Sequence, residues 1–337
     1  MKNRAKSVVA TLSLVASAAT FVPVSGAAPV VATKYFACSS GGTLSHISTV
    51  AHACAKATKA VSGLFSGADF TYADFSGAVL TGASLSRSTL ASISSGKIVG
   101  RPASLPNGWH LVNGYLIGPT AVIQGANFTN TNFSNMNLAG ASILSSNFTG
   151  AIFNNVSLAN ATMSNVTVAN AQFGKANLNG LVSAFIAGTP RSLPSGWTVL
   201  LGSNNGTPEN YLGGPSAQLG QANLPNAVMT NLQLTGAYFA NANLKDADLT
   251  GSILTKAVMS AADLEGATLQ NVKAAGASFQ TANLSGADFT NANLSGANFT
   301  GANMLGSVYT GATLTGAICY NGAPYDPVTN NCFANTF

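Results

Sequence analysis

Of the 337 residues only 7% are Asp, Glu, Lys or Arg and 47% are apolar, where an ordinary soluble domain is roughly 25% charged. The formal charge of +5 falls to +2 without Lys2, Arg4 and Lys6 at the start of the chain, which leaves no electrostatic bias toward nucleic acid or an anionic membrane. Asn, Ser, Thr and Gly supply the polarity, and past Val24 there is no long apolar run, which excludes a protein made of membrane helices.

The three basic residues precede an apolar run from Val8 to Val24 and then Ser25-Gly26-Ala27-Ala28. That order predicts a signal peptide over residues 1–27, cleaved after Ala27, and export to a secreted, extracellular location with no membrane attachment afterwards. A retained anchor is the competing reading, but the run is short for a span of ~20 residues. Residues 28–64 follow as an N-terminal cap. Leu44, Ile47, Val50, Ala51, Cys54, Ala57 and Val61 stand at helical spacing behind Thr43, which predicts an amphipathic helix over 44–61 with Thr43 as its N-cap. Cys38, His46, His52 and Cys54 match no standard zinc spacing, so no metal is expected there.

From residue 65 one five-letter word repeats: Ala287-Asp288-Phe289-Thr290-Asn291, then Ala292-Asn293-Leu294-Ser295-Gly296. Its apolar centres form three in-phase runs, from Phe65 to Leu90, Ile123 to Leu178 and Leu219 to Cys319, thirty-nine words in all. A period of five fits neither a helix nor a simple strand. Fixed-period repetition marks a solenoid, whose units bury their apolar side only by stacking on neighbours. The centre and the small residue two places earlier should point inward, and the Gly or Asn after each short strand should turn a corner with positive φ.

The word resembles the consensus Ala-(Asp/Asn)-Leu-x-x of the pentapeptide repeat family, over residues 65–319 apart from two interruptions. The resemblance implies an all-β, right-handed quadrilateral β-helix, four words to a square coil of about twenty residues, stacked at ~4.8 Å into a rod of roughly 50 Å. Some members of that family mimic DNA and bind topoisomerase, a role that needs a strongly acidic surface; this chain is slightly basic. Sequons of the form Asn-x-Thr/Ser, such as those at Asn127, Asn147, Asn293 and Asn298, are by-products of the word.

The interruptions, at about 95–120 and 183–216, are copies of each other. Ser104-Leu105-Pro106-Asn107-Gly108-Trp109 matches Ser192-Leu193-Pro194-Ser195-Gly196-Trp197, and Tyr115-Leu116-Ile117-Gly118-Pro119 matches Tyr211-Leu212-Gly213-Gly214-Pro215. Five residues separate Trp from Tyr in the first copy and thirteen in the second. Twelve words, three whole coils, lie between the copies, so both are expected on one face of the rod, roughly 20 Å apart at strand spacing. Both tryptophans of the protein lie in them. Packing of Trp109, Tyr115, Trp197 and Tyr211 as tethered loops is one reading, since Trp usually hides its large apolar surface. The other is a two-step aromatic platform that stacks on the sugar rings of a polymer.

Residues 320–337 form a turn-rich C-terminal cap. An even cysteine count in an exported chain favours disulfides. Three connectivities are open, and the local one, Cys38–Cys54 with Cys319–Cys332, is favoured because a long solenoid separates the two ends. No catalytic motif or cofactor fingerprint occurs. Asp246, Asp248, Asp263, Glu265 and Asp288 take outward positions where Asp alternates with Asn, and a convex surface provides no cleft for a carboxylate pair. A third surface idea, an ice-like lattice of outward Thr and Ser, fails because Asn, Gln, Lys and Ala break the rows. The sequence therefore points to an exported, non-enzymatic β-helical scaffold or protein-interaction module without cofactor or metal. The alternative is a glycan- or cell-wall-binding module, and topoisomerase binding ranks third. The partner is an unidentified protein or a cell-surface polysaccharide, and homodimerisation through an end or face of the solenoid stays open.

Overall fold

The computed structural model describes residues 36–40, 43–48, 65–204, 206–328 and 332. The chain divides into two compact units, one of residues up to Asn127 with Met136–Ser146, the other of Phe128–Asn135 with Asn147–Phe337.

In the first unit, β1 (Phe36–Ser40) and β2 (Thr43–Ser48) pair antiparallel, Ser40 opposite Thr43. Residues 44–48 are thus extended where the apolar spacing predicts helix. Only Leu44 and Ile47 of the helical pattern fall in this stretch, and the preceding Gly41-Gly42 is a two-residue hairpin signal that outweighs them. The rest of the predicted helix, 49–61, lies outside the described residues. β3 (His110–Val112) and β4 (Tyr115–Ile117) form a second antiparallel pair. β5 (Val122–Gln124) and β6 (Ser142–Leu144) run parallel, one coil apart. Regular coils begin at Phe65: Asp69 bridges Thr89, Asp74 bridges Ser94, Val79 bridges Val99 and Ser84 bridges Ser104, all parallel. A constant offset of twenty residues is four words, so each coil has four sides.

In the second unit, β7 (Thr162–Thr167) and β8 (Val182–Ala187) repeat that parallel offset. β9 (Thr198–Leu200), β10 (Ser203–Asn204), β11 (Thr207–Pro208) and β12 (Tyr211–Gly213) belong to the second interruption. Between Gln218 and Ile318 the parallel bridges again join a residue to the one twenty further on, and Ile318 then bridges Pro324 antiparallel.

The physical reason for the coil is visible word by word. Centres such as Leu249, Leu264, Phe279 and Leu294 are fully buried, and so are the alanines two places before them, Ala247, Ala262, Ala277 and Ala292. Each buried centre contributes about 1.5–3 kcal/mol before entropy is subtracted. Identical positions in successive coils stack like with like. Phe153 lies on Phe173 with centroids 4.5 Å apart, and Phe279 on Phe299 at 5.2 Å, close to the distance between neighbouring strands. Corners fall two places after the centre, where Asn231, Asp246 and Asn271 hold φ of 58°, 56° and 57°. Between coils the backbone bonds regularly, as in Leu284 N–H to Asn303 C=O at 2.7 Å and Asn303 N–H to Ala282 C=O at 2.9 Å.

Candidate functional site: two hairpins of one design

The coil register runs on to Ser104 in the first unit and to Ser192, bridged to Gln172, in the second. A tight turn follows in each. Trp109 N–H donates to Pro106 C=O at 3.1 Å and Trp197 N–H to Pro194 C=O at 3.0 Å, with Gly108 and Gly196 both at φ 79°. Glycine with positive φ at the third position is the signature of a type II turn. Each tryptophan then starts a hairpin.

In the first unit Val112 faces Tyr115 across Asn113 and Gly114, which have φ of 48° and 79°, the type I′ geometry that suits the twist of two-residue hairpins. In the second, Leu200 faces Tyr211 in the equivalent register, and the chain between them extends into the small β10–β11 ladder. The eight extra residues thus lengthen one hairpin outward and leave its base unchanged.

Two devices fix each hairpin to its coil. One is a buried serine five residues after the last regular centre. Ser95 Oγ accepts the Leu116 N–H at 2.9 Å, and Ser183 Oγ accepts the Leu212 N–H at 2.8 Å. Without these hydroxyls a backbone donor would be buried with no partner. The other is a glycine under each indole. A Cβ at Gly118 would stand 2.7 Å from Cε2 and Cε3 of Trp109 and nearer still to Cδ2. At Gly214 it would stand 2.6 Å from Cγ and 2.7 Å from Cε2 of Trp197. The missing side chain lets each ring lie directly on the backbone of the returning strand. Both indoles are half-buried and pack on the core of their own unit.

The four aromatic residues singled out by sequence are therefore divided between the two hairpins, one Trp at the base and one Tyr further along in each. Tyr115 is half-buried beside Gly96, where a Cβ would meet its Cε1 at 3.0 Å. Tyr211 is buried, and its hydroxyl accepts the Asn223 N–H at 2.9 Å. Desolvation pushes the Tyr211 phenol well above its ordinary range. The roles of Ser95, Ser183, Gly118 and Gly214 escaped the sequence reading. Their signal was available, because each occupies the same place in both copies.

Cys319 and Cys332 are joined by a disulfide with Cα atoms 4.6 Å apart, and both are buried. The segment they close folds back on the last coil. Cys319 N–H donates to Ala323 C=O and Tyr325 N–H to Ala317 C=O, both at 2.8 Å, and Tyr320 and Tyr325 pack against the core. The Cys38–Cys54 pairing lies outside the described residues.

The outward polar groups of the second unit bond to one another. Along one side, Asn243 Nδ2 donates to Asn223 Oδ1 at 2.7 Å, Asn283 Nδ2 to Asp263 Oδ1 at 2.9 Å and Asn303 Nδ2 to Asn283 Oδ1 at 3.2 Å. The second hairpin ends this ladder, since Ser203 C=O accepts Asn223 Nδ2 at 2.6 Å. Lys245 and Glu265 pair at 2.8 Å beside it. The hydrogen bond to Lys245 and its charge hold the Glu265 carboxyl below the usual range. At Asp288 desolvation pushes the carboxyl up, but bonds from the Thr290 hydroxyl, the Gln270 amide and the Thr290 N–H outweigh it and hold it low. In the first unit the Thr71 hydroxyl and N–H do the same for Asp69.

A parallel β-helix of twenty-residue, four-sided coils defines a repeat-built class of protein in which the core is shared from coil to coil. The chain belongs to the pentapeptide repeat family: the family model for pentapeptide repeats matches eight copies within residues 64–91, 121–180 and 216–322, more than half of the sequence. Members of this family fold as right-handed β-helices. Among solved structures the chain is similar to the pentapeptide repeat protein Rfr23 from the cyanobacterium Cyanothece 51142, at 32% identity over 27% of this chain and 58% of that one, with a TM-score of 0.22. The match thus spans a little over half of that relative. It is also similar to HetL, involved in heterocyst differentiation regulation in Nostoc sp. strain PCC 7120, at 22% identity over 77% of this chain and 92% of that one, TM-score 0.20. A third similar structure is QnrB1, a plasmid-mediated fluoroquinolone resistance protein, at 16% identity over 75% and 89%, TM-score 0.19. No curated protein matches.

Proposed function

We propose that the protein is an exported, non-enzymatic β-helical scaffold that presents its surface to another protein. The carrying observation is that three of its carboxylates, Asp69, Glu265 and Asp288, are already committed to structure. A general acid or base needs a pKa near the working pH, whereas Asp69, Glu265 and Asp288 are all held low by bonds that tie turns and coils together. The surface most distinct from the repeat is the second hairpin, whose outer part exposes Leu201, Thr207 and Pro208. Export rests on the N-terminal sequence, and the oxidised Cys319–Cys332 pair fits an oxidising destination. The test is to recover the chain from the medium of expressing cells and sequence its N-terminus. A chain beginning at Ala28 supports the reading, and a cell-retained chain beginning at Met1 contradicts it.

The second reading is a glycan- or cell-wall-binding module acting through Trp109, Tyr115, Trp197 and Tyr211. It needs ring faces open for stacking. The glycine under each indole and the burial of Tyr211 leave less of that surface than an aromatic platform requires, so the protein scaffold is preferred. Topoisomerase binding by DNA mimicry ranks below both, because the chain is slightly basic.

A further inference from the structure

We propose that Asn107, at the foot of the first hairpin, is a site of spontaneous deamidation and isomerisation to which the fold directs the reaction. Four Asn-Gly steps lie among the described residues, at Asn107, Asn113, Asn179 and Asn321. Ring closure at such a step needs a following backbone nitrogen free of hydrogen bonds and a side-chain amide free to turn. It also needs no side chain in the way, which glycine guarantees. Gly180 N–H is occupied, donating to Ser216 C=O at 3.2 Å. Gly322 N–H donates to Cys319 C=O at 2.9 Å, and Asn321 Oδ1 accepts the Ala323 N–H at 3.0 Å. Asn113 is held inside the two-residue hairpin turn at φ 48° and is not free. At Asn107 the side chain is exposed, and open space extends 4 Å around the position a Cβ would take on Gly108. Among the described residues neither the Asn107 amide nor the Gly108 N–H has a partner.

The Gly108 nitrogen gives its proton to solvent base and attacks the side-chain carbonyl carbon of Asn107. The new C–N bond closes a succinimide ring and the side-chain nitrogen leaves as ammonia. Water then opens the ring at either carbonyl, leaving an aspartyl or an isoaspartyl linkage and one new negative charge. The isoaspartyl product adds a backbone methylene between Pro106 and Trp109, inside the turn that lays the indole on Gly118. The second hairpin carries Ser195 at the equivalent place, so its turn cannot react there, and the Asn205 of its own Asn-Gly step lies outside the described residues. The modification at position 107 therefore loosens one of two otherwise matched turns as the protein ages.

The experiment ages the full, oxidised chain at mildly alkaline pH and follows each Asn-Gly peptide by mass spectrometry, with isoaspartyl methyltransferase labelling to locate the isomerised linkage. Conversion at position 107 is expected to exceed that at 179 and 321 combined. The signal should vanish in Asn107→Ser, and in a Trp197→Phe background the Trp109 emission should move in step with conversion. A parallel sample in urea should lose the preference for position 107. Equal conversion at 107, 179 and 321 in the folded protein overturns the proposal. So does a preference for 107 that persists unchanged in urea, because the folded geometry is then not its cause.

Discussion

Gly118→Ala places a methyl group where the Trp109 indole lies. The backbone at Gly118 is outside the left-handed region, so the substitution carries no conformational strain and its effect is purely steric. The added carbon would stand 2.7 Å from Cε2 and Cε3 of Trp109, where ordinary contacts between carbon atoms are about 3.5–4.0 Å. The ring must retreat by roughly 1 Å from a packed position, and overpacking of this kind costs about 1–3 kcal/mol. Against it stands a gain of about 0.4–1 kcal/mol from the stiffer unfolded chain. The net expectation is a destabilisation of about 1–2 kcal/mol. Urea unfolding followed by circular dichroism measures it, with the same substitution repeated in a Trp109→Ala background. There the obstacle is gone, and alanine at 118 should be neutral or slightly stabilising. An equal cost in both backgrounds would refute the ring-on-glycine account of how the hairpin is held.

Other outcomes follow from the same geometry. Gly96→Ala should change stability by less than about 0.5 kcal/mol in thermal unfolding, because the second module already carries Ala184 at the equivalent position. Ser183→Ala leaves the buried Leu212 N–H without its acceptor and should cost about 1–3 kcal/mol, with a red shift of the Trp197 emission. Asp263→Asn should stabilise by about 0.5–1.5 kcal/mol in urea melts, since an amide there can donate to Asn243 Oδ1 and close the one gap in the ladder. Asp69 and Asp288 have depressed folded-state carboxyls. Their contribution is complete above the unfolded value of about 3.9 and is lost as the pH falls through the folded values. Melting temperature should therefore hold from neutral pH to about pH 5 and decline below pH 4.

The repeat was readable because it is redundant. Thirty-nine words with small and apolar residues two places apart leave one stacking solution, and the buried Ala247–Leu249 and Ala262–Leu264 pairs follow it. The positive φ of Asn231 and Asn271 followed from the same pattern. The hairpins were readable only as copies. Their strands are three residues long, too short for periodicity to distinguish. Asn113-Gly114 between apolar residues was the local signal of the first hairpin, and it went unused. Ser95 and Ser183 stand at the inward centre position of the word, where a polar residue has no use until the hairpin strand arrives to take its hydroxyl. Such tertiary bonds leave no local mark. At 44–48 the helical spacing misled, because two apolar positions cannot define a period and residues 43–48 pair as a strand with 36–40 instead.

The most direct test of the central claim, that the aromatic residues of the hairpins serve packing and the proposed protein-binding scaffold does not act through them, is a fluorescence titration of the purified protein. Both tryptophans lie in the hairpins, so emission reports from there alone when cell-wall fragments and polysaccharides are added. The account predicts a blue-shifted signal, poorly quenched by iodide and unchanged by any glycan. A saturable change that disappears when Trp109 and Trp197 are both replaced by alanine would contradict it and make the hairpins a sugar-binding site.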